Sequence, residues 1–323
     1  MDRARFGEVA AAFPRCRAVV LGDLMLDRYV TGTVARVSPE APVPVVLVDD
    51  EWNAVGGAAN VAANIRALGA RCDVIGVVGA DGAGRAIERT LETMGAACRL
   101  VADDRRSTTV KTRVLAQGQQ VVRIDREETS AIAPDAERRL KAQIDERLSG
   151  AGVLILADYD KGVLSGALGA HALERAARLG VPTVVDPKRR DFFAFGGATV
   201  FKPNRAELEA ALDEPVRPRK PEWMEAARAR VGCDHLLVTL GAEGMALASP
   251  GGRLENVASR ARSVYDVSGA GDIVSAVVAA SLATGAGMAE AVVLAAHAAA
   301  VGVAKVGVAT VTPEEIAELL PES

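Results

Sequence analysis

Late in the chain a run of small residues leads into an acid, Asp266-Val267-Ser268-Gly269-Ala270-Gly271-Asp272, followed at once by apolar Ile273-Val274-Ser275-Ala276-Val277-Val278. Glycines let backbone N–H groups crowd an anion, and the start of a helix adds partial positive charge there. A carboxylate planted in such a site would repel a phosphate. It makes sense as the base that takes a proton from a hydroxyl while the N–H groups hold the transferring phosphoryl group. The same residues also read as a plain helix with a Gly-rich start and an acid in its first turn.

Three other places carry residue types suited to that chemistry. Gly56-Gly57-Ala58-Ala59-Asn60 opens a helix, where paired glycines permit a ligand to approach the backbone and Asn60, one turn in, can hydrogen-bond a polyol. Read structurally, the glycines need be only a tight turn. Asp27 follows the first strand and is expected at the carboxyl edge of the sheet, where α/β folds bind ligands. Asn204-Arg205-Ala206-Glu207, directly after a strand, puts an amide and a carboxylate one turn apart. That spacing suits placement of Mg²⁺ and its waters beside phosphates, and equally an N-cap with a capping-box acid.

The elements that must position these groups alternate along the chain. A Val-rich strand at Ala18–Leu21 precedes two β segments, at about residues 29–50 and 108–124, the second turning at Ala116-Gln117-Gly118-Gln119. Helices are expected at Gly57–Leu68, Gly82–Met94, Pro134–Leu148, Leu168–Leu179, Glu207–Leu212, Glu222–Val231 and Ala289–Val303, with a last one capped at Thr312. Strands are expected at Cys72–Val78, Val153–Ala157, Thr183–Val185, Thr199–Phe201 and Leu236–Thr239. This is an α/β chain, a doubly wound and mostly parallel sheet in one domain over residues 1–323, with the two β segments as a small lid.

Composition narrows the function classes. With 38 Lys and Arg against 42 Asp and Glu, and 3% aromatics, neither a nucleic-acid surface nor a stacking platform is indicated. Cys16, Cys72, Cys98 and Cys233 form no C-x-x-C pair and read as reduced thiols of a cytoplasmic protein. The acidic opening lacks a signal-peptide pattern, and the apolar run Ala291 to Ala304 is too short to span a bilayer. There is no Gly-Lys dipeptide for a Walker loop, and His171, His235 and His297 have no metal-binding spacing.

In this order, Gly56 to Asn60, Gly79-Ala80-Asp81-Gly82-Ala83-Gly84, Asn204 to Glu207 and Asp266 to Asp272 closely resemble the ribokinase-like (PfkB) family of carbohydrate kinases. The resemblance implies ATP-dependent phosphorylation of a sugar hydroxyl, with Asp272 as base and the backbone of Gly269, Ala270 and Gly271 as anion hole. It assigns Asn204, Glu207, Thr239, Gly241 and Gly244 to the nucleotide, with Glu207 reaching Mg²⁺ through water. Asp27, Gly56, Gly57 and Asn60 are assigned to the sugar, and a monovalent cation such as K⁺ to the cofactors. Ser268 stands where many members carry Thr.

A narrower likeness rests on Arg36 to Val45, Thr108 to Arg113, Gln119-Gln120 and Asp158-Tyr159-Asp160-Lys161-Gly162. These resemble the heptose 7-phosphate kinases of lipopolysaccharide-core synthesis, which act on the anomeric hydroxyl of D-glycero-β-D-manno-heptose 7-phosphate. That likeness adds Asp158 to the sugar contacts and suggests the form without an adenylyltransferase domain. Lys111 and Arg113 are two apart on an expected strand and share a face; with Lys161, and Arg36 nearby, they could clamp a second phosphate. They could equally be a solvated lid face. A homodimer through the lid is expected, because a small sheet is marginal until its second face is covered. The competing readings are a kinase for another sugar, sugar phosphate or nucleoside, and a sugar-binding regulator without turnover.

Overall fold

The computed structural model describes residues 1–321. Helix α1 (Arg3–Ala12) leads into β1 (Arg17–Gly22), the lid strands β2 (Leu24–Val37) and β3 (Pro44–Gly57), then α2 (Ala58–Ala67), β4 (Arg71–Gly79), α3 (Gly82–Thr93) and β5 (Ala97–Asp103). Two more lid strands follow, β6 (Thr109–Ala116) and β7 (Gln119–Arg126). The chain continues through α4 (Pro134–Arg147), β8 (Val153–Ala157), α5 (Ala167–Leu179), β9 (Thr183–Asp186), β10 (Val200–Phe201), α6 (Arg205–Leu212), α7 (Pro221–Val231) and β11 (His235–Thr239). A hairpin of β12 (Met245–Ser249) and β13 (Arg253–Val257) precedes α8 (Ala270–Ala283), α9 (Met288–Val303) and α10 (Pro313–Leu319).

Nine strands form the main sheet in the order β13-β12-β11-β10-β9-β8-β1-β4-β5. From β5 to β11 every pairing is parallel, and only the β12–β13 hairpin runs antiparallel at one edge. Helices cover both faces, so the central strands read as unbroken apolar runs; every residue of Val153–Ala157 is buried. One core packs α2, α8 and α9 against the sheet through residues such as Phe13, Ile65 and Val277, and the other packs α4, α5 and α7 through Leu140, Ile144 and Phe201. Complete burial of a side chain such as Leu140 or Ile144 stabilises by roughly 1.5–3 kcal/mol, so this sandwich is a stiff platform for the strand ends.

The lid is a separate four-stranded sheet in the order β3-β2-β6-β7, with β2 and β6 parallel at its centre and a hairpin on each side. Gln117 and Gly118, both at positive φ, make the tight two-residue turn read from the sequence. The lid is longer than the β segments expected at 29–50 and 108–124. Its first hairpin runs from Leu24 to Gly57, because β1 passes into β2 after Asp23 alone and β3 leads straight into α2. The polar stretch Asp50 to Asn53 hides this continuation, since exposed strands lose the apolar alternation by which strands are recognised. Asp27 is therefore displaced from the expected position at the edge of the main sheet. It lies on β2 in the lid, in register with Ala54 and Lys111. Helix α1, strand β5 and the β12–β13 hairpin have no counterpart among the elements expected from the sequence.

Candidate active site

The carboxyl ends of β1, β8, β9 and β10 and the start of α8 converge on Asp272. Gly269 caps α8 with φ of 79°, and a Cβ there would lie 2.7 Å from Asn60 Nδ2. Glycine thus gives both the left-handed turn and the room for the Asn60 amide to donate to Asp272 Oδ2 at 2.7 Å. N–H groups in the first turn of a helix have no intrahelical acceptor; of the three expected to form an anion hole, that of Ala270 is already given to the Val267 carbonyl at 3.3 Å, which leaves Gly269 and Gly271 at the positive end of α8. The loop before them is held by Asp266, which accepts from Ser268 N at 2.8 Å and Gly307 N at 3.1 Å.

Asp272 is 7% exposed. Burial pushes its carboxyl up to about 6, against the hydrogen bonds from Tyr159 and Asn60 that favour the ionised form. The helix end alone does not hold it at an ordinary carboxylate value, although it remains mostly ionised at neutral pH. The Tyr159 hydroxyl donates to Asp272 Oδ1, and burial together with the charges of Asp272 and Asp186 keeps that phenol protonated. Behind Asn60, Asn64 donates to the Asn60 carbonyl and accepts from Val311 N, so the Asp272 carboxylate is braced through two amides.

The nucleotide residues predicted from the sequence come together at the start of α6. Asn204 and Glu207 form a full capping box: Glu207 N donates to Asn204 Oδ1 at 2.9 Å and Asn204 N to Glu207 Oε2 at 2.8 Å. The capping-box reading of this pair is thus the one the geometry realises. Thr239 lies beside it, bridged to Asn204, and the turn Gly241–Glu243 closes on Gly244. Glu207 Oε1 accepts from the Lys188 ammonium.

The sugar-side residues divide. Gly56 lies against Asp27, where a Cβ would fall 2.3 Å from Oδ2, so glycine admits the buried carboxylate to the β3 backbone. Asp27 pairs with Arg113, and Arg113 lies over the Tyr29 ring, which stacks on Trp52. Gly57 caps α2, placing Asn60 one turn inside. Asp158, by contrast, turns both oxygens to backbone, accepting from Asp160 N at 2.9 Å and Lys188 N at 3.3 Å; it braces two loops where a sugar contact was expected. Burial raises its carboxyl to about 7. The three cations of the expected clamp each hold a carboxylate: Lys111 with Asp125, Arg113 with Asp27, Lys161 with Glu127. Arg36 is exposed toward the lid tip.

Several residues of the site had not been singled out. Asp23, 1% exposed, accepts from the backbone of Tyr159, Lys161 and Val163 and fixes that loop over the sheet. Lys202 and Asp186 form a buried pair at 2.9 Å beneath the first turn of α8, near Gly271. Lys188 lies 5.6 Å over the Tyr159 ring. Their common signal is a polar residue just after an apolar strand, as in Asp186-Pro187-Lys188 and Lys202-Pro203-Asn204. Among the described residues no cluster of three or more His, Cys, Asp or Glu is arranged to hold a metal ion, and no helix is long and apolar enough to cross a membrane. A cavity of about 300 Å³ lies apart from Asp272, between the start of α3 at Asp81–Ala83 and the lid face carrying Arg28, Thr112, Ile124 and Arg126.

The chain is 46% identical over 301 residues to the bifunctional protein HldE of Azorhizobium caulinodans, covering 92% of this chain and 63% of that protein. It is 43% identical over 319 residues to the HldE of Geobacter sulfurreducens, covering 98% and 65%. It thus spans less than two thirds of the length of these relatives. Among solved structures, Escherichia coli phosphofructokinase-2 in complex with potassium superimposes with a TM-score of 0.78 at 21% identity, covering 94% of this chain and 97% of that one. Arabidopsis thaliana ribokinase complexed with ribose and ATP gives 0.72 at 21%, covering 95% and 99%. At that identity the likeness is one of fold, a ribokinase-like α/β sandwich with a small second sheet. Residues 17–315 match the model of the pfkB family carbohydrate kinases, and the chain belongs to that family of enzymes, which transfer phosphate to a sugar hydroxyl.

Proposed function

We propose that this kinase phosphorylates the anomeric hydroxyl of D-glycero-β-D-manno-heptose 7-phosphate, giving the 1,7-bisphosphate in ADP-heptose and lipopolysaccharide-core synthesis. The observation that carries the reading is a buried base, Asp272, at the start of α8, set with a lid whose one face aligns Asp27, Lys111, Tyr29 and Arg113. The two relatives named HldE support the sugar class. In the reaction the sugar hydroxyl gives its proton to an Asp272 oxygen as its own oxygen bonds to the γ-phosphorus, and ADP leaves with the electrons of the broken P–O bond. The free N–H groups at the start of α8 receive the charge on the moving phosphoryl oxygens.

ATP and Mg²⁺ belong to the reading. Both Glu207 oxygens already accept hydrogen bonds, so this carboxylate suits an ion carried by the triphosphate with its own waters rather than direct coordination. Held there by Glu207 through water, Mg²⁺ would supply charge neutralisation to the phosphate oxygens. A monovalent cation rests on the potassium complex of phosphofructokinase-2 alone, with no residue assigned to it. A homodimer through the lid is supported by the face opposite Asp27, where Val30, Val114 and Val122 lie in register and Ile124 is 58% exposed. A cytoplasmic location is supported by four cysteines with free thiols.

The test is an ADP-release assay with Mg-ATP across heptose 7-phosphate, free heptose, and hexose and pentose phosphates. Heptose 7-phosphate is expected to be the preferred substrate. Because Lys111 and Arg113 each exchange a carboxylate for phosphate, Lys111→Ala or Arg113→Ala should raise its KM about tenfold, with the KM for ATP nearly unchanged. Equal use of free heptose would refute recognition of the phosphate, and a better hexose or pentose substrate would reassign the enzyme within its family.

A further inference from the structure

Lys188 is the one described cation that reaches both ends of the site. At one end its ammonium holds Glu207 Oε1, part of the capping box at the start of α6. At the other it lies 5.6 Å over the ring of Tyr159, whose hydroxyl is bonded to the Asp272 carboxylate. Its backbone is anchored, with Lys188 N donating to Asp158 Oδ2 at 3.3 Å, so the side chain springs from a fixed point. Burial opposes its charge, yet the carboxylates of Asp186, Glu207 and Asp272 around it win and keep the ammonium charged. The other nearby cation, Lys202, is 3% exposed and locked to Asp186 under the helix, whereas the Lys188 side chain keeps 31% of its surface open.

A charged, partly open ammonium between the nucleotide end and the base end has one natural counterpart in phosphoryl transfer: the phosphoryl group in flight. We propose that Lys188 is a further catalytic residue, binding the γ-phosphoryl oxygens between the start of α6 and Asp272. It makes and breaks no covalent bond. The hydroxyl proton passes to Asp272, the new P–O bond forms on the sugar oxygen, and the electrons of the old bond leave with ADP, while Lys188 offsets the charge spread over the equatorial oxygens. The inference rests on the placement of nucleotide and base given above, and its consequence is a specific preference for a nucleotide carrying a γ-phosphate.

Calorimetric titration of the full chain with Mg²⁺ and either ADP or the non-hydrolysable analogue AMP-PNP, without sugar, reads that preference apart from turnover. In Lys188→Met the affinity for AMP-PNP should fall about 10- to 100-fold while that for ADP changes less than about twofold, the loss expected for one charge-assisted contact. Should that variant fold poorly with Glu207 left without its counter-ion, Lys188→Met combined with Glu207→Gln removes the unpaired charge, and the ratio of the two affinities still carries the answer. An unchanged ratio, or equal losses for ADP and AMP-PNP, would overturn the proposal and leave Lys188 as a structural counter-ion. Failure of the heptose reading would show separately, as a wild-type chain that binds nucleotide but does not phosphorylate heptose 7-phosphate.

Discussion

Tyr159→Phe isolates the tuning of the base. The substitution deletes the hydroxyl that donates to Asp272 Oδ1 and keeps the ring beneath Lys188. Burial holds the Asp272 carboxyl at about 6, and the bonds from Tyr159 and Asn60 are what stop it from rising further. A hydrogen bond to a charged group is worth about 1.5–3 kcal/mol, and one pKa unit corresponds to about 1.4 kcal/mol. Losing the Tyr159 donor should therefore raise the carboxyl by about 1–2 units, to roughly 7–8. Only the ionised form accepts the sugar proton, so the acid limb of the kcat/KM profile should move from near pH 6 into that range. At pH 7 the variant should be down about two- to tenfold, recovering by pH 9. The assay is ADP release over pH 5.5–9 at saturating Mg-ATP; ionisation of the sugar phosphate is common to both proteins and cancels in the comparison. A loss of the same size at every pH, or an acid limb that does not move, would refute the reasoning. Either result would mean that Tyr159 does not set the protonation of the base, or that Asp272 is not the base.

Asp272→Asn should lower kcat by about 10²–10⁴-fold with nucleotide binding retained, as activity assays and calorimetry would show. It should also stabilise the fold in a pH-dependent way. With the folded carboxyl raised from 3.8 to about 6, stability is greatest below the unfolded value and declines as pH rises through 6, by about 3 kcal/mol in full. The uncharged variant escapes that decline, so its Tm should exceed that of the wild type above pH 7 and the gap should narrow toward pH 4; a constant gap would refute the burial argument. For the lid, Val122→Glu with Ile124→Glu places two charges on the outward apolar face, at positions 46% and 58% exposed. Sedimentation should show a wild-type dimer and a monomeric variant at micromolar concentration, and a monomeric wild type would remove the lid interface.

Chemistry carried by neighbouring residues is legible in one dimension. The small-residue turn from Gly269 to Asp272 at the start of α8 is read directly, because the residues that shape it are consecutive and the acid follows within the same helical turn. Asn204 and Glu207 are legible for the same reason, since a capping box is local by construction. The main sheet is legible from its buried Val-rich strands, while the lid is only half so, because exposed strands such as Gln119–Arg126 carry no buried face to pattern them.

The tertiary structure decided which of these groups meet. Asp23, Tyr159, Lys188 and Lys202 follow four different strands, and only the order β10-β9-β8-β1 makes those strand ends neighbours around Asp272. It also decided partners. Lys111, Arg113 and Lys161 look alike as free cations in the sequence, yet pairing across β2, β6 and β7 gives Lys111 and Arg113 their carboxylates, and the end of β7 brings Glu127 to Lys161. It turned Asp158 from a sugar contact into a loop brace, and burial rather than the helix end set the protonation of Asp272. Residue type and spacing state what a side chain is able to do. Which charge it faces, and how much water is removed from it, depend on distant segments, 212 residues apart in the bond from Asn60 to Asp272, and the fold alone brings those together.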